Sequence, residues 1–215
     1  MKINSRIYVA GHLGLAGSAI YRALKKSGYQ NLIPRSHSEM ELLDATQDRN
    51  FYSETKFDCI VSIEMFEHMQ NYERLMENIS SWLKPEGKLF VHIFCHQKFA
   101  YFFSTEGSDN WMGRYFFTGG LMPSEDLLLK FQKNLSLDKQ WRWNGRHYKQ
   151  TSNAWLKNMD REKNNILPIL EQVYGRNERN IWFQRWRIFF MACAELFGYN
   201  SGNQWLVAHY LFKKS

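Results

Sequence analysis

Two glutamates and a histidine stand within five positions of one another, directly after an apolar segment. Glu64, Glu67 and His68 follow residues 57–63, whose apolar run predicts a buried strand. An imidazole titrates close to neutral pH, so it can take up a proton, and a neighbouring carboxylate can orient it and balance its charge. This spacing predicts acid–base chemistry. Any one of the three residues alone would more often be a helix cap or a solvated group.

A second candidate site lies near the start of the chain, where three glycines follow a short apolar strand. Gly11, Gly14 and Gly17 come directly after residues 6–10 and lead into a helical stretch at about 18–27. Glycines at this spacing allow a tight turn and a close approach of the backbone, and a helix N-terminus attracts anions. The pattern therefore predicts an anion site in a cofactor cleft.

Strands and helices alternate through the first half of the chain. Predicted strands cover residues 6–10, 31–33, 40–43, 57–63 and 88–94, and predicted helices cover 18–27, 46–56 and 71–83. This alternation predicts an α/β fold with a doubly wound parallel sheet and right-handed crossovers. Ligands of such sheets bind at the carboxyl ends of the strands, which is where both candidate sites would lie.

Beyond residue 96 the chain is rich in aromatic residues. Residues 99–120 predict a substrate-covering loop, and His96 before it suits a surface or capping role better than catalysis. Further predictions are a helix at 124–132 with Ser124 as its N-cap, strands at 141–147 and 204–212, and helices at 152–174 and 177–197. Six aromatics recur at helical spacing, and most are predicted to be core: Trp182, Phe183, Trp186, Phe189, Phe190 and Phe197. One or two of them would suit a pocket for a cationic amine.

The composition argues against several classes of protein. The net charge of +7 is spread along the chain without a dense basic run, so a nucleic-acid partner is not expected. Cys59, Cys95 and Cys193 lack metal-ligand spacing, which predicts buried thiols in a reducing compartment and no metal site. No apolar run reaches the roughly 18 residues of a membrane span, and no signal peptide is recognised. We therefore expect a cytoplasmic protein without a transmembrane segment.

The glycine loop, Arg35 and the run at residues 41–44 resemble the N-terminus of the GDP-L-fucose synthases. These are NADP-dependent enzymes of the extended short-chain dehydrogenase class, and the resemblance covers roughly residues 5–56. It implies that the three glycines bind NADP, that Arg35 binds its 2′-phosphate, and that Asp44 lies beside the adenine.

A dehydrogenase of that class also needs a Tyr-x-x-x-Lys pair well downstream of these elements. The only such spacing is Tyr52 to Lys56, on a predicted helix before the fourth strand. We therefore do not expect oxidoreductase chemistry. The alternative function that this part of the chain supports is a catalytically silent NADP-binding protein.

Five motifs beyond residue 56 point to a different family. They are residues 57–69, 83–85, 89–96, 115–120 and 194–199. Together they resemble the S-adenosylmethionine-dependent methyltransferases of the cyclopropane-fatty-acid-synthase superfamily, and within it the coclaurine N-methyltransferase-like enzymes. The resemblance covers residues 57–215. It implies a Rossmann-like, class I methyltransferase fold with a helical, aromatic-rich C-terminal cap, and a small amine or a lipid as methyl acceptor.

The same resemblance implies roles for individual residues. Glu64, Glu67 and His68 would form the amine-binding and catalytic cluster, with His68 as the base. Cyclopropane synthases usually have glycine where this chain has Glu64, which favours an amine acceptor over a lipid alkene. Glu67 and His92 match positions that hold a bicarbonate base in the cyclopropane synthases. Ser62, near the end of the fourth strand, is predicted to belong to the cofactor site.

The two resemblances disagree about the cofactor. A methyltransferase of this type uses an acidic residue after strand two to bind the ribose hydroxyls of S-adenosylmethionine, and Arg35 stands roughly there. Asp44 could serve the adenine of either cofactor. We predict one Rossmann-like domain over residues 1–215, a composite of a dinucleotide-binding part (1–56) and a methyltransferase part (57–215). Three alternatives remain: a methyltransferase, an NADP-binding protein, and a decayed enzyme that binds neither cofactor well.

Overall fold

The computed structural model describes residues 2–10, 12, 15–35 and 56–214. The strand predicted at 40–43 and the helix predicted from residue 46 fall outside the described residues. So do three of the predicted cofactor-site residues: Gly11, Gly14 and Asp44.

Eight strands and six helices are found in the described ranges. The strands are β1 (Ile7–Ala10), β2 (Leu32–Arg35), β3 (Phe57–Ile63), β4 (Leu83–His96), β5 (Tyr101–Phe102), β6 (Leu121–Met122), β7 (Leu135–Trp143) and β8 (Trp205–Lys214). The helices are α1 (Leu15–Lys26), α2 (Tyr72–Trp82), α3 (Trp111–Tyr115), α4 (Gly145–Arg161), α5 (Lys163–Tyr174) and α6 (Arg179–Gly198). Short 3₁₀ turns occur at Phe66–His68, Leu127–Lys130 and Tyr199–Gly202.

Six strands form the main sheet, in the order β2-β1-β3-β4-β8-β7. The first four pair in parallel, whereas β8 is antiparallel to both of its neighbours. Among the described strands of this sheet, β8 alone therefore runs against the others. The predicted doubly wound α/β fold is confirmed, with a mixed and mostly parallel sheet.

The two faces of the sheet are covered by different helices. On one face, Ile20 and Leu24 of α1 pack against Ile7 of β1 and Cys59 and Val61 of β3. On the other face, α2 buries residues spaced as one helical stripe: Tyr72, Leu75, Met76 and Ile79. Apolar burial on both faces is typical of parallel strands, and it explains why β3 is almost continuously apolar.

The C-terminal helices form the predicted aromatic-rich cap. Phe183 and Phe197 of α6 are buried, and Trp182, Trp186, Phe189 and Phe190 are partly buried. The ring of Phe116 stacks on Phe189 with 4.5 Å between centroids, which ties the segment before β6 to this cap. All three cysteines are buried, as predicted.

Several predicted element boundaries are wrong. Residues 124–132 do not form a helix capped by Ser124, because backbone hydrogen bonds tie this segment to β4: the His96 amide donates to the Pro123 carbonyl (2.9 Å) and the Glu125 amide to the His96 carbonyl (2.9 Å). The side chain of Ser124 instead donates to Asp126 (2.7 Å). Residues 99–120 are not wholly irregular, since they contain β5 and α3.

The strand predicted at 141–147 ends four residues early, and the chain turns into α4. The Asn144 side chain caps this helix by accepting from the Arg146 amide (2.9 Å). Gly145 is required there because a Cβ at this position would collide with the backbone oxygens of Trp205 and Phe197. The helix predicted at 152–174 is two helices, α4 and α5, separated at Glu162.

Candidate active site

The predicted acid–base residues lie at the carboxyl ends of β3 and β4. In the parallel register of these strands, Ile63 lies opposite His92, so Glu64 leaves β3 directly beside the His92 side chain. Glu67 and His68 follow on the 3₁₀ turn. The Tyr72 hydroxyl anchors this turn by donating to the carbonyl of Phe66 (2.8 Å). The structure therefore brings Glu64, Glu67, His68 and His92 to one edge of the sheet.

Glu64 adopts a left-handed backbone conformation, with φ at 50°. Its amide still donates to the His92 carbonyl (3.1 Å), so the chain turns away immediately after the last bond of the β3–β4 ladder. A residue with a Cβ pays about 1–2 kcal/mol for this conformation, which glycine adopts freely. The side chain of Glu64 therefore occupies a position where the backbone would favour glycine.

Both carboxylate oxygens of Glu64 lie near hydrogen-bond donors. Its Oε1 is 3.0 Å from His92 Nε2, an ion-pair distance, although within the described residues this oxygen accepts no well-aligned hydrogen bond. Its Oε2 accepts a long hydrogen bond (3.5 Å) from the Tyr148 hydroxyl of α4. The carboxylate is 28% exposed, so it can still meet a ligand.

Glu67 is the buried partner in this cluster. Its side chain is 1% exposed, and its Oε2 has no hydrogen-bond partner among the described residues. Burial, and secondarily the charge of Glu64, raise the pKa of Glu67 well above its usual value. The environment of Glu67 therefore favours its neutral acid form.

His68 faces the open side of the cluster. Its side chain is half exposed, and its ring stacks on Phe117 with 5.9 Å between centroids. Burial lowers the pKa of His68 and outweighs the opposing effect of the Glu64 charge. Its Nε2 lies 4.0 Å from Glu67 Oε1. The imidazole is thus kept neutral at physiological pH, with a lone pair available for a proton.

Two histidine rings and one indole form a row of close nitrogen–nitrogen contacts that extends from the cluster across the sheet. His92 Nδ1 lies 2.8 Å from Nε2 of His209 on β8, and His209 Nδ1 accepts a hydrogen bond from the Trp143 indole (3.0 Å). Burial, followed by the proximity of His92, lowers the pKa of His209 to about 4. Sequence reasoning missed Tyr148, His209 and Trp143, because strand pairing and the start of α4 bring them to the site from distant parts of the chain.

His96 takes no part in this cluster. Its ring is 4% exposed, and its Nδ1 accepts from the backbone amides of Lys98 (3.0 Å) and Phe99 (2.8 Å). Its role is to cap the turn after β4, as the sequence predicts.

The predicted cofactor side is built from β1, β2 and the start of α1. Gly17 is buried in the first turn of α1 rather than in the preceding loop, and this turn carries no acidic residue to oppose an anion. Arg35 is the last residue of β2 and lies opposite Ala10 in the parallel register. Ser62 is 2% exposed, and its hydroxyl has no partner in the part of the chain that the structure describes. This arrangement fits a cofactor with an anionic group.

The described ranges contain neither a metal-binding cluster nor a membrane span. No group of three or more His, Cys, Asp or Glu side chains there could hold a metal ion. None of the helices described is long and apolar enough to cross a bilayer.

Comparison with known proteins gives one family for most of the chain. The family model of the mycolic acid cyclopropane synthetases matches residues 13–206. (S)-coclaurine N-methyltransferase from Papaver somniferum is 38% identical over 76% of this chain and 48% of its own length. The chain spans about half the length of the curated relatives it matches first, at 48% and 51%.

Two other matches bear on the site. A crystal structure of coclaurine N-methyltransferase bound to N-methylheliamine and SAH covers 100% of this chain, with a TM-score of 0.79 and 29% identity, and the match spans 68% of that protein. The putative GDP-L-fucose synthase 2 of Arabidopsis thaliana is 43% identical over 53 residues, which are 25% of this chain and 16% of that protein. The second match is confined to a quarter of the chain.

Proposed function

The chain belongs to the mycolic acid cyclopropane synthetase family, and we propose that it transfers a methyl group from S-adenosylmethionine to a small amine. The observation that carries this proposal is the meeting of three different side chains at one edge of the sheet: the accessible Glu64, the buried Glu67, whose pKa is raised by burial, and the half-exposed His68, whose pKa is lowered by burial. An amine acceptor needs this combination, because it arrives as a cation and must lose a proton before its nitrogen can attack.

Each residue has a separate role in this proposal. Glu64 binds the ammonium group through its accessible carboxylate. His68 takes the proton as the amine N–H bond breaks, which frees the nitrogen lone pair for the new N–C bond. Glu67 stays neutral beneath His68, so it does not hold the imidazolium that forms as tightly as a second carboxylate would. When bound, S-adenosylmethionine supplies the electrophilic methyl group and leaves as its thioether.

The residues at the N-terminal end of helix α1 are suited to bind this cofactor. The first turn of α1 would receive its carboxylate, and the orphaned hydroxyl of Ser62 would donate to it from the end of β3. The relatives named above act on, or bind, the amines coclaurine and N-methylheliamine. We propose an amine of that kind for this chain, rather than a lipid, because Glu64 provides the anionic contact that an alkene does not need.

A second candidate function is favoured by the N-terminal match. The 43% identity over 53 residues to a GDP-L-fucose synthase, together with Arg35 at the end of β2, supports an NADP-binding protein without methyl transfer. The two functions differ in their ligand, so they can be separated without a substrate.

Calorimetric titration of the purified chain with S-adenosylhomocysteine, and separately with NADP, is the first test. Micromolar binding of S-adenosylhomocysteine alone supports the methyltransferase proposal. Methyl transfer to coclaurine, followed by mass spectrometry, then tests the acceptor. Binding of NADP alone would overturn the first proposal in favour of the second, and binding of neither ligand would overturn both.

A further inference from the structure

We propose that Trp143 and His209 are positioning residues that fix the proton of His92 on Nε2, and thereby place a neutral N–H beside Glu64, the residue proposed to receive a cationic amine. The inference rests on the proposed function for the role of Glu64, but the proton arrangement itself follows from the hydrogen bonds. It adds two residues to the site that no motif of the sequence marks.

The direction of these hydrogen bonds is set by Trp143. An indole N–H can only donate, so His209 Nδ1, 3.0 Å from Trp143 Nε1, must accept with its lone pair. A histidine whose Nδ1 accepts carries its proton on Nε2 when it is neutral. His209 is kept neutral because burial and the proximity of His92 lower its pKa to about 4.

The position of the proton on His209 in turn determines the position of the proton on His92. His209 Nε2 lies 2.8 Å from His92 Nδ1, and because His209 Nε2 bears the proton, His92 Nδ1 must accept it. The proton of His92 is therefore on Nε2, which lies 3.0 Å from Glu64 Oε1. The Trp143 indole thus determines the tautomers of both His209 and His92, and no ligand is needed for this.

This arrangement has a chemical consequence at Glu64. A second proton on His92 would place two N–H groups face to face between His92 and His209, so charging His92 requires His209 to give up its bond to Trp143. His92 therefore presents a neutral N–H 3.0 Å from Glu64 Oε1, although the two are not aligned as a hydrogen bond, and it does not compete with the amine as a permanent cation. A neutral N–H partner stabilises the carboxylate while leaving its negative charge uncompensated for an ammonium ligand.

The fold explains why these groups meet. His209 lies directly opposite His92 in the antiparallel register of β4 and β8, and Trp141 lies opposite His209 in that of β7 and β8. Trp143 is two positions beyond Trp141 and so shares its face of the sheet. The edge of Phe90, which precedes His92 by two positions, packs against the His209 ring at 5.3 Å. The ring of His147 also lies near Trp143, with 6.1 Å between the ring centroids.

Long-range ¹H–¹⁵N correlation spectra test the proton arrangement without cofactor or substrate. In the wild-type chain we expect both His209 and His92 to be neutral with the proton on Nε2 at pH 7. Trp143→Phe removes the donor while keeping a ring, so His209 should become a tautomer mixture and its pKa should rise from about 4. Trp141→Phe is the matched control, since it lies on the same strand and face and should leave both spectra unchanged.

Kinetics with the proposed amine test the consequence for Glu64. Trp143→Phe should raise the KM for the amine about fivefold with a smaller change in kcat, because the hydrogen bond lost joins two neutral groups, Trp143 and His209. His209→Gln should largely restore wild-type values, because one amide can accept from the indole and donate to His92. His209→Leu can do neither and should resemble Trp143→Phe. Thermal unfolding identifies any variant that has lost its fold.

The proton arrangement is overturned if the wild-type His209 or His92 carries its proton on Nδ1, or if Trp143→Phe leaves both tautomers unchanged. The positioning role is overturned if Trp143→Phe shifts the tautomers but leaves the KM for the amine at the wild-type value. If the wild-type chain methylates no amine, the proposed function fails, whereas the spectra still decide the proton arrangement.

Discussion

Glu64 is linked to His92 twice, once through its backbone and once through its side chain. Its amide donates to the His92 carbonyl (3.1 Å), and its carboxylate lies 3.0 Å from His92 Nε2. The positive φ of Glu64 allows both contacts, since it turns the side chain back toward the neighbouring strand. The carboxylate is therefore held in place before any ligand arrives, which lowers the entropic cost of binding one.

Replacing Glu64 by glycine should separate stability from function. Glu64→Gly relieves the left-handed backbone, so the free energy of unfolding should rise by about 1 kcal/mol. Amine binding should fall at least tenfold, because the anionic contact is lost. Chemical denaturation and amine titration measure the two effects. Glu64→Gln is the control: it keeps the strain and loses only the charge. Loss of stability in Glu64→Gly would contradict the strain argument.

Glu67 should tolerate glutamine, in contrast to Glu64. The raised pKa of Glu67 means that the folded chain binds this proton more tightly than the unfolded chain does. The contribution of Glu67 to the free energy of unfolding should therefore fall as the pH rises from about 4.5 toward the pKa of the folded state, by about 1.4 kcal/mol for each pH unit crossed between the two values.

Glu67→Gln removes this titration, so the wild type should lose stability relative to this variant as the pH rises from 5 to 8. The opposing effect of His68 and His209, whose lowered pKa values add stability with rising pH, is common to both proteins. The methyl-transfer rate of Glu67→Gln should stay within a few-fold of wild type, because a neutral group is retained. Urea unfolding at a series of pH values is the measurement. A stability difference between wild type and Glu67→Gln that does not change with pH in this range would show that the pKa of Glu67 is not raised in the fold.

His68→Ala should remove turnover while sparing the cofactor. The loss of a general base lowers kcat by about 10²–10⁴-fold, and the affinity for S-adenosylhomocysteine should not change. Because burial lowers the pKa of His68, the wild-type rate should be maintained below pH 6.5 and be lost only as the pH falls through the lowered value. Unchanged turnover in His68→Ala would remove His68 from the mechanism.

Arg35→Glu should distinguish the two candidate cofactors. An acidic residue at the end of β2 would bind the ribose hydroxyls of S-adenosylmethionine, so the affinity for S-adenosylhomocysteine should rise about tenfold. NADP binding, where present, should be abolished by repulsion of the 2′-phosphate. Arg22→Glu on the exposed side of α1 introduces the same charge change and serves as the control. If Arg35→Glu changes neither affinity, both cofactor assignments fail.

The part of the site predicted from the sequence is the part that is local in the chain. Residues 57–63 form β3 with the predicted bounds, and Glu64, Glu67 and His68 follow it because a short turn allows no other placement. His92 was placed by its strand, since parallel neighbours end at the same edge. These inferences need only periodicity and the geometry of one pair of strands.

The rest of the site depends on pairings between distant residues. His209 meets His92 across 117 positions, and its alternating, partly apolar strand gives no sign that a histidine is the residue facing the site. Tyr148 lies in α4, whereas the prediction leaves it between a strand ending at 147 and a helix starting at 152, because the cap at Asn144 ends β7 early. The pair Asn144-Gly145 is the one signal in the sequence that could have located this helix start.

The parallel pairing of β1 with β3 makes the N-terminal part of the chain exchangeable in principle. These strands pair in parallel from Ile7 opposite Cys59 to Val9 opposite Val61. The backbone hydrogen bonds between paired strands do not depend on side-chain identity. A β-α-β unit of another lineage can therefore be joined to this sheet when its apolar side chains fill the same volume of the core. The acid–base residues all follow β3 in the sequence, outside this N-terminal part. Under the proposed function, the part that recognises the cofactor can therefore be exchanged while the acid–base residues stay unchanged.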